Sequence, residues 1–274
     1  MSAPKVIVVT GANRGIGLAI AQSLLTQPFP VHLYACSRAG TTLPLSPSSP
    51  DSKVHFPSLD ISSPTSISAL RDTITTNERH LDILINNAGT NDTGSTGVPA
   101  STVVNVNYHG TKNMCLSFLP LLNASPGEAR IVNISSTGSS LHHYSPSIKS
   151  TFRSSSLTVP QLDDLAEDFL SSSARGDSSS SGFGGANGYS FSKAAINALT
   201  AILARENRGV VVNCCCPGWV DTEMGNIVGK PSKTPEEGAR IPVRLAVGDV
   251  QGVSGGYWGN EGVGDKGWGE VREW

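Results

Sequence analysis

The sequence predicts an α/β fold: a doubly wound parallel sheet with helices on both faces. Two observations carry this prediction. Short apolar runs alternate along the chain with stretches of helical spacing, which is the order of parallel strands joined by crossover helices. The runs are also apolar throughout rather than at every second residue, as in strands that are buried on both faces.

The first strand and helix lie at the start of the chain. The run Val6–Val9 is wholly apolar, and a helical pattern follows from Ile16 to Leu25, ending before Pro28. The same alternation predicts further strands at 31–36, 53–57, 81–86, 129–134 and 210–215. It predicts further helices near 65–79, 100–122, 188–206 and 235–247. Residues 40–52, rich in Thr, Ser and Pro, are predicted to form a loop.

A serine-rich insert at about 137–187 interrupts this alternation. Of the 37 serines in the chain, 17 lie within residues 135–181. Apolar residues at helical spacing predict an extra helix near 160–172, and we expect the rest of the insert to lie on the surface. Because no linker divides the chain, residues 1–274 are expected to form a single domain that contains the insert.

Composition argues against several classes of function. The 274 residues carry 20 Lys+Arg against 22 Asp+Glu, a net charge of -2, which gives no electrostatic case for nucleic acid binding. No apolar run reaches the length of about 18 residues that a membrane span needs. Three of the five cysteines are consecutive (Cys214, Cys215 and Cys216), and no CxxC spacing occurs. We therefore expect no disulfide framework, no metal site and a reducing, cytoplasmic setting.

A glycine-rich turn lies between the first strand and the first helix. Its motif residues are Gly11, Asn13, Arg14, Gly15, Ile16 and Gly17. Glycines here permit a tight turn and let a pyrophosphate approach the helix N-terminus, where N–H groups favour an anion. The spacing is GxxxGxG rather than GxGxxG, and a purely structural turn is the alternative. Its position in a βαβ unit favours a Rossmann-type dinucleotide site.

The end of the second strand indicates which dinucleotide is bound. Ser37 and Arg38 stand about 20 residues after the glycines, where NAD sites place an acidic residue and NADP sites offer arginine to the 2′-phosphate. No acid is present at this point. Arg14 and Arg38 together therefore predict NADP or NADPH, and the alternative is that both are solvated surface arginines.

Polar residues at the ends of two further strands predict a site at the same edge of the sheet. Asn86–Gly89 ends the fourth strand, and Ser135–Ser136 follows the fifth. Ligands of open α/β folds bind at the carboxyl ends of the strands. These segments are therefore candidates for cofactor and substrate contacts.

A tyrosine and a lysine four residues apart supply a candidate general acid. Tyr189 and Lys193 share one face of a predicted helix, and we expect the ammonium to lower the pKa of the phenol. Tyr189 could then donate a proton during a reaction. The same spacing occurs at Tyr108 and Lys112, but that pair precedes the serines, so Tyr108 is interpreted as a packed aromatic.

Taken in order, these motifs resemble the short-chain dehydrogenase/reductase family. The shared positions are Thr10–Gly17, Asn86–Gly89, Asn107, Ser136, Tyr189, Lys193 and Pro217–Thr222. The resemblance covers nearly the whole chain. It is greatest to the monomeric carbonyl reductases, whose segments are similar to Cys216–Met224 and Thr234–Ala239 and which also have a long insert before the tyrosine.

The resemblance implies a role for each of these residues. Tyr189 would protonate a carbonyl oxygen, Ser136 rather than Ser135 would hydrogen-bond that oxygen, and Lys193 would hold the nicotinamide ribose. Asn107 would position a water of a proton relay. Trp219 would line the substrate site, with a core tryptophan as the alternative. Further cofactor contacts are implied for Asp60, Ile61, Asn87, Ala88, Gly89, Pro217, Gly218, Val220 and Thr222.

The function that the resemblance implies is NADPH-dependent reduction of a ketone, aldehyde or quinone to an alcohol by hydride transfer. A reductase or alcohol dehydrogenase dedicated to one secondary metabolite is the alternative among enzymes. A non-catalytic NADP-binding sensor is an alternative of another class. The insert would cover the helix face that tetrameric relatives use for assembly, so the resemblance also implies a monomer.

Overall fold

The structure, a computed structural model, describes residues 3–92 and 97–274. In these residues one eight-stranded sheet has the order β3-β2-β1-β4-β5-β6-β7-β8. Neighbouring strands are parallel from β3 to β7, and β8 is antiparallel to β7. The predicted α/β class with a doubly wound sheet is confirmed. The strands are β1 (Lys5–Thr10), β2 (Val31–Cys36), β3 (Lys53–His55), β4 (Ile83–Asn86), β5 (Ala129–Ile134), β6 (Val210–Cys215), β7 (Tyr257–Gly259) and β8 (Glu270–Arg272).

Helices cover both faces of this sheet. They are α1 (Gly15–Leu25), α2 (Pro64–Asn77), α3 (Ala100–Val104), α4 (Thr111–Asn123), α5 (Pro146–Arg153), α6 (Val159–Arg175), α7 (Gly188–Glu206) and α8 (Pro235–Val247). The helix predicted over 100–122 is divided, because a π-helical turn at Asn105–Gly110 lies between α3 and α4. In the described part of the chain, no helix is both long and apolar enough to cross a membrane.

The strand predictions fail at the ends of two elements and in the tail. The strand predicted at 53–57 ends at His55, and the strand predicted at 81–86 begins only at Ile83. The sequence does not predict β7 and β8, which lie in or beside the glycine-rich tail and have three residues each. Such short strands carry too little apolar pattern to be recognised, and pairing of Tyr257 with Cys214 holds β7 in the sheet.

Two hydrophobic layers explain why the strands are apolar throughout. Alternate residues of β1 point to opposite faces of the sheet. Val6 and Val8 pack in the layer beneath α2, α4 and α7, whereas Ile7 and Val9 pack in the layer beneath α1 and α8. Each of these four side chains is at most 1% exposed, so both faces of the strand are core.

The insert packs against the core even outside the predicted helix, where the sequence analysis expects it to lie on the surface. It contains α5, which the sequence does not predict, and α6, which is the helix predicted near 160–172. Phe152, Phe169 and Phe183 are buried. Phe169 stacks on Phe191 of α7 with ring centroids 4.3 Å apart. This aromatic cluster fixes the insert against α7, the helix that carries Tyr189.

A polar cluster ties α6 to α4 and to the π-helical turn. Asp163 of α6 accepts hydrogen bonds from Lys112 Nζ at 2.7 and 2.8 Å and from the Tyr108 hydroxyl at 2.8 Å. Tyr108 is fully buried, which confirms its interpretation as a packed aromatic. The second Tyr-x-x-x-Lys pair therefore belongs to the structural framework.

Removing the acceptor of this cluster is expected to destabilise the fold. Asp163→Ala leaves the phenol of Tyr108 and the ammonium of Lys112 without their acceptor, so we expect the free energy of unfolding to fall by about 2–3 kcal/mol. Urea denaturation measures this change. The adjacent Asp164 is exposed and supplies the control Asp164→Ala. Equal midpoints for the two variants would contradict the prediction.

Candidate active site

Close contacts in the glycine-rich turn exclude larger residues. Gly11 and Gly15 have φ angles of +65° and +53°, which favour glycine. A Cβ atom on Gly17 would lie 2.2 Å from the Gly11 carbonyl oxygen and 2.5 Å from Nδ2 of Asn87. That amide nitrogen donates to the carbonyl oxygens of Thr10 and Gly11 at 2.9 and 3.1 Å. The side chain of Asn87 therefore holds the turn in shape.

The N-terminus of α1 differs from those of α2, α6, α7 and α8. Its N-cap residue, Arg14, makes no side-chain cap, and its first turn has no acidic residue. Side chains cap α2, α6, α7 and α8, and they come from Ser63, Thr158, Asn187 and Thr234. The first turn of α1 therefore presents N–H groups without a side-chain cap at the carboxyl edge of the sheet, an arrangement suited to phosphate.

The two predicted arginines have different surroundings. Arg38 follows β2, is exposed, and accepts a hydrogen bond at its carbonyl oxygen from Ser58 Oγ at 2.8 Å. Its neighbour Ser37 is buried. Arg14 forms an ion pair with Glu223 from the segment after β6, and these side chains are 61% and 74% exposed. The sequence analysis missed Glu223, although it lies inside the Cys216–Met224 segment that carries the resemblance.

Two of the implied cofactor contacts, Asp60 and Ile61, follow β3. The carboxylate of Asp60 accepts hydrogen bonds from Ser62 N at 2.9 Å and Ser62 Oγ at 2.6 Å, and these bonds lower the pKa of Asp60. Ile61 is buried against Gly110 of the π-helical turn. After β4, the amide of Ala88 donates to Thr10 Oγ1 at 2.9 Å. The segments after β3 and β4 are thus held by local contacts at the sheet edge.

Two caps fix the N-terminus of α7 and so the position of Tyr189. Asn187 and Ser190 form a capping box. The carboxylate of Asp92, in the segment after β4, accepts hydrogen bonds from Gly188 N at 2.7 Å and Tyr189 N at 3.1 Å. The sequence analysis missed Asp92, because a cap supplied from 97 residues away leaves no local motif.

The side chains of Tyr189 and Ser136 lie next to each other at the carboxyl edge of the sheet. The space beside them is called the cleft. Both side chains lie beside Gly138, and Ser136 Oγ accepts a hydrogen bond from Gly138 N at 3.1 Å. A Cβ atom on Gly138 would lie 3.4 Å from the Tyr189 ring, so glycine leaves room beside it. Ser135 is only 2% exposed and its Oγ donates to the Lys193 carbonyl oxygen at 3.4 Å. Ser136, and not Ser135, is therefore open to the cleft.

Lys193 lies behind Tyr189 in the interior. Its Nζ is 5.5 Å from the centroid of the Tyr189 ring and donates to the Ile134 carbonyl oxygen at 2.8 Å. A Cβ atom on Gly89 would lie 3.8 Å from that Nζ and 3.1 Å from Asn107 Oδ1. Gly89 therefore allows the segment after β4 to approach both side chains.

Asn107 is placed by the π-helical turn between α3 and α4. It is fully buried, accepts from Thr90 N at 2.8 Å, and donates to Ser192 Oγ at 3.0 Å and to the Thr90 carbonyl oxygen at 2.9 Å. The extra residue of a π turn changes the direction of a side chain relative to a regular helix. Asn107 links the segment after β4 to α7.

The expectation that Lys193 lowers the pKa of Tyr189 is wrong for this structure. Burial raises the pKa of Tyr189 to about 12, and the neighbouring Ser136 side chain only partly opposes the rise. Burial also lowers the pKa of Lys193 to about 8. Desolvation therefore outweighs the attraction that the sequence spacing suggests, since Lys193 is buried and Tyr189 is only partly exposed.

The segment after β6 forms the opposite wall of the cleft. A Cβ atom on Gly15 would lie 3.0 Å from Cγ2 of Thr222, so this segment touches the glycine-rich turn. Val220 is buried against α8. Trp219 donates from Nε1 to the Gly225 carbonyl oxygen at 2.9 Å, and its ring packs on Gly229. Trp219 therefore supports its own loop.

A pocket of about 420 Å³ opens next to the turn after β6. It is also lined by Thr137, the residue that follows Ser136 in the chain. Its lining includes Thr137, Ser139, Cys216 and Gly218, together with tail residues 259–263 and Trp274, but not Trp219. The glycine-rich tail thus forms a wall of the pocket. All three consecutive cysteines are buried, as expected for packing thiols. Among the described residues, no group of three or more His, Cys, Asp or Glu side chains could hold a metal ion.

Comparison with known proteins agrees with this geometry. The pattern of the family described as short chain dehydrogenase matches residues 5–150, and that described as enoyl-(acyl carrier protein) reductase matches residues 147–254. The chain is 36% identical over 268 residues to carbonyl reductase (NADPH) 1 of Bos taurus, covering 92% of this chain and 95% of that protein. The chain belongs to the short-chain dehydrogenase family.

Solved structures of similar proteins have the same fold. Salutaridine reductase from Papaver somniferum superposes with a TM-score of 0.77 at 29% identity, covering 92% of this chain and 99% of that one. The NADPH-bound carbonyl reductase from chicken fatty liver superposes with a TM-score of 0.69 at 25% identity, covering 100% and 96%. The short-chain dehydrogenase fold therefore extends over the glycine-rich tail of this chain.

Proposed function

We propose that this short-chain dehydrogenase is an NADPH-dependent carbonyl reductase in which Tyr189 is the general acid. The observation that carries the proposal is the meeting of Tyr189, Ser136, Lys193 and Asn107 at the edge of the sheet, beside the uncapped N-terminus of α1. Similarity to curated carbonyl reductases supports NADPH and a carbonyl substrate. Residues 1–274 act as one NADP-binding unit that includes the insert.

The residues of the cleft fit a dinucleotide with a 2′-phosphate. The uncapped N–H groups of α1 suit the pyrophosphate, and the exposed Arg38 suits the 2′-phosphate together with Arg14. Gly89 lies close to Lys193 Nζ, where ribose hydroxyls would bind. Asp60, Ile61, Ala88, Pro217, Gly218, Val220 and Thr222 complete the proposed cofactor contacts.

The bound cofactor would supply a hydride, and the residues of this chain handle the proton and the carbonyl oxygen. Ser136 Oγ and the Tyr189 hydroxyl, whose side chains lie next to each other beside Gly138, would both turn to the substrate oxygen and hold it for attack. Tyr189 donates its proton to that oxygen as negative charge develops. Because Tyr189 has a raised pKa, it carries the proton at neutral pH.

Lys193 and Asn107 support this proton transfer from behind Tyr189. The ammonium of Lys193 stabilises the phenolate that forms once the proton has left, so its charge matters more during the reaction than before it. Asn107 holds the segment after β4 against α7 and would position a water near Lys193. Together they would return a proton to Tyr189.

A second candidate function is a biosynthetic reductase dedicated to one metabolite. Its support is the structural similarity to salutaridine reductase and to menthone neomenthol reductase from Mentha piperita, each with a TM-score of 0.77. The pocket of about 420 Å³, walled by the tail, would set the choice of substrate in either case. A panel of ketones, aldehydes and quinones separates a generalist, which reduces many of them, from a specialist.

A monomer in the cytoplasm is proposed as the working state. The insert occupies the outer face of α4 and the π-helical turn through Asp163, so it covers a helix surface that could otherwise serve assembly. All five cysteines are free thiols, which suits a reducing compartment. Light scattering after size-exclusion chromatography tests the monomer.

The decisive assay for the proposed function follows the absorbance of NADPH and of NADH with each member of the carbonyl panel. We expect oxidation of NADPH with at least one carbonyl and a clear preference over NADH. Binding of NADPH without turnover of any panel member would support a sensor instead. A preference for NADH would contradict the assignment of Arg38 to the 2′-phosphate.

Loss of the carboxylate that pairs with Arg14 is expected to strengthen cofactor binding. Glu223 holds the guanidinium that the 2′-phosphate would use, so Glu223→Gln removes a competitor. Because exposed ion pairs contribute up to about 1 kcal/mol, we expect the Kd of NADPH to fall about 2- to 5-fold at low salt and less at high salt.

Calorimetric titration of the unliganded protein with NADPH measures the effect of Glu223→Gln. The control is Glu236→Gln, which removes the same charge from an exposed position on α8. An unchanged or weaker affinity in Glu223→Gln would mean that Glu223 does not compete for Arg14.

A further inference from the structure

Lys233 is buried although it has no acidic partner in contact. Only 2% of the Lys233 surface is exposed, and the Nζ atom donates a hydrogen bond to the Pro217 carbonyl oxygen at 2.7 Å. Among the residues that the structure describes, no carboxylate lies within ion-pair distance of this ammonium; Glu237 and Asp265 act on it only through longer-range attraction. Burying a charge in this way costs free energy, so a lysine here calls for a reason other than stability.

The backbone of Lys233 closes the loop that follows β6. Its amide donates to the Trp219 carbonyl oxygen at 3.2 Å, and its carbonyl oxygen accepts from Asp221 N at 2.7 Å. The two ends of the loop formed by residues 221–232 therefore lie side by side. From that point the side chain reaches back to Pro217, on the other side of Gly218.

The ammonium also packs directly beneath the turn at Gly218. This glycine has a φ of +89°, and a Cβ atom on it would lie 2.9 Å from Lys233 Nζ and 2.5 Å from the Val263 carbonyl oxygen. Val263 in turn accepts from Trp219 N at 2.8 Å. Lys233 and Val263 thus hold the turn from two sides, and Gly218 and Cys216 on that turn line the pocket of about 420 Å³.

We propose that Lys233 is a positioning residue that sets the place of the Pro217–Gly218 turn between the nicotinamide end of the cofactor and the substrate pocket. The proposal rests on the proposed function, which counts Pro217 and Gly218 among the cofactor contacts, and it adds that their turn lies at the nicotinamide end. A long side chain with a charged donor can reach a buried carbonyl oxygen and hold it more tightly than a neutral donor does. An apolar side chain of the same length would fill the space without holding the turn.

The test compares Lys233→Met with Lys230→Met, a control in the same loop at an exposed lysine. Lys233→Met is expected to lower kcat/KM for NADPH-dependent reduction about 10-fold or more, since small displacements of a bound reactant are costly to rate. Its melting temperature should stay the same or rise, because a buried charge has been removed. Lys230→Met should match the wild-type protein in both measurements.

Two further measurements separate positioning from general support of the fold. Adenosine 2′,5′-bisphosphate occupies only the adenosine end of the site, so its Kd should stay within about 2-fold of wild type in Lys233→Met while that of NADPH rises. Lys233→Arg keeps a charged donor and should retain more activity than Lys233→Met. It also serves as the test variant if Lys233→Met does not fold.

Each outcome decides for or against the role of Lys233. Unchanged kcat/KM and NADPH affinity in Lys233→Met would overturn it, and so would an equal loss of affinity for NADPH and for the bisphosphate. Arg at this position performing no better than Met would also count against it. If the wild-type protein binds NADPH but reduces no carbonyl, the proposed function fails. The Kd values of NADPH and of the bisphosphate in Lys233→Met then still test the positioning role. If it binds neither nucleotide, both proposals fall.

Discussion

Tyr189→Phe is expected to lower kcat for NADPH-dependent carbonyl reduction by about 10³-fold or more, while the Kd of NADPH changes little. The substitution removes one oxygen, which is the proposed proton donor beside Ser136. It leaves the ring that packs near Gly138 and Lys193. Binding and fold should therefore persist when chemistry is lost.

The second Tyr-x-x-x-Lys pair supplies a matched control. Tyr108→Phe removes the same atom from a residue four positions before Lys112, but that hydroxyl donates to Asp163 in the packed interface of α6. Tyr108→Phe should lose some stability and keep its turnover. Steady-state kinetics of both variants, with NADPH binding followed by fluorescence, makes the comparison. Retained activity in Tyr189→Phe would remove Tyr189 from the role of general acid.

The order of motifs along the chain was enough to predict strands β1–β6 of the sheet and the cluster at its edge. Each predicted strand ends in the same direction, so residues that follow β1, β4 and β5 meet at one edge whatever the lengths of the helices between them. Tyr189 and Lys193 are near neighbours because residues four positions apart lie on one face of a helix. These features depend on spacing within single elements, which a sequence displays directly.

Contacts between distant segments could not be predicted in this way. Asp92 caps α7, Glu223 pairs with Arg14, and Lys233 reaches Pro217 only because the fold brings separate loops together. The packing of Phe169 on Phe191 likewise depends on the path of the insert, which its serine content conceals. The pKa of Tyr189 was misjudged because burial depends on every neighbouring element and not on one lysine.

Removing the charge of Lys193 is expected to lower kcat/KM for reduction by about 10²-fold, the size of effect seen when a donor to a developing charge is lost. Burial lowers the pKa of Lys193 to about 8, whereas the pKa of Tyr189 is about 12. As pH rises through about 8, Lys193 therefore loses its proton long before Tyr189 does. Activity of the wild-type protein should be level below that pH and fall above it, because the neutral amine no longer stabilises the phenolate.

The pH profile of Lys193→Met then distinguishes a charge effect from a loss of packing. Methionine has a similar length and no titrating group, so its low kcat/KM should show no fall near pH 8. Lys112→Met makes the same substitution in the structural pair, where Lys112 is bound to Asp163, and should keep the wild-type profile. A fall near pH 8 that persists in Lys193→Met would assign the titration to another group and leave Lys193 with a binding role alone. Disappearance of the fall in Lys193→Met alone would tie the proton on this buried lysine to the stabilisation of the Tyr189 phenolate.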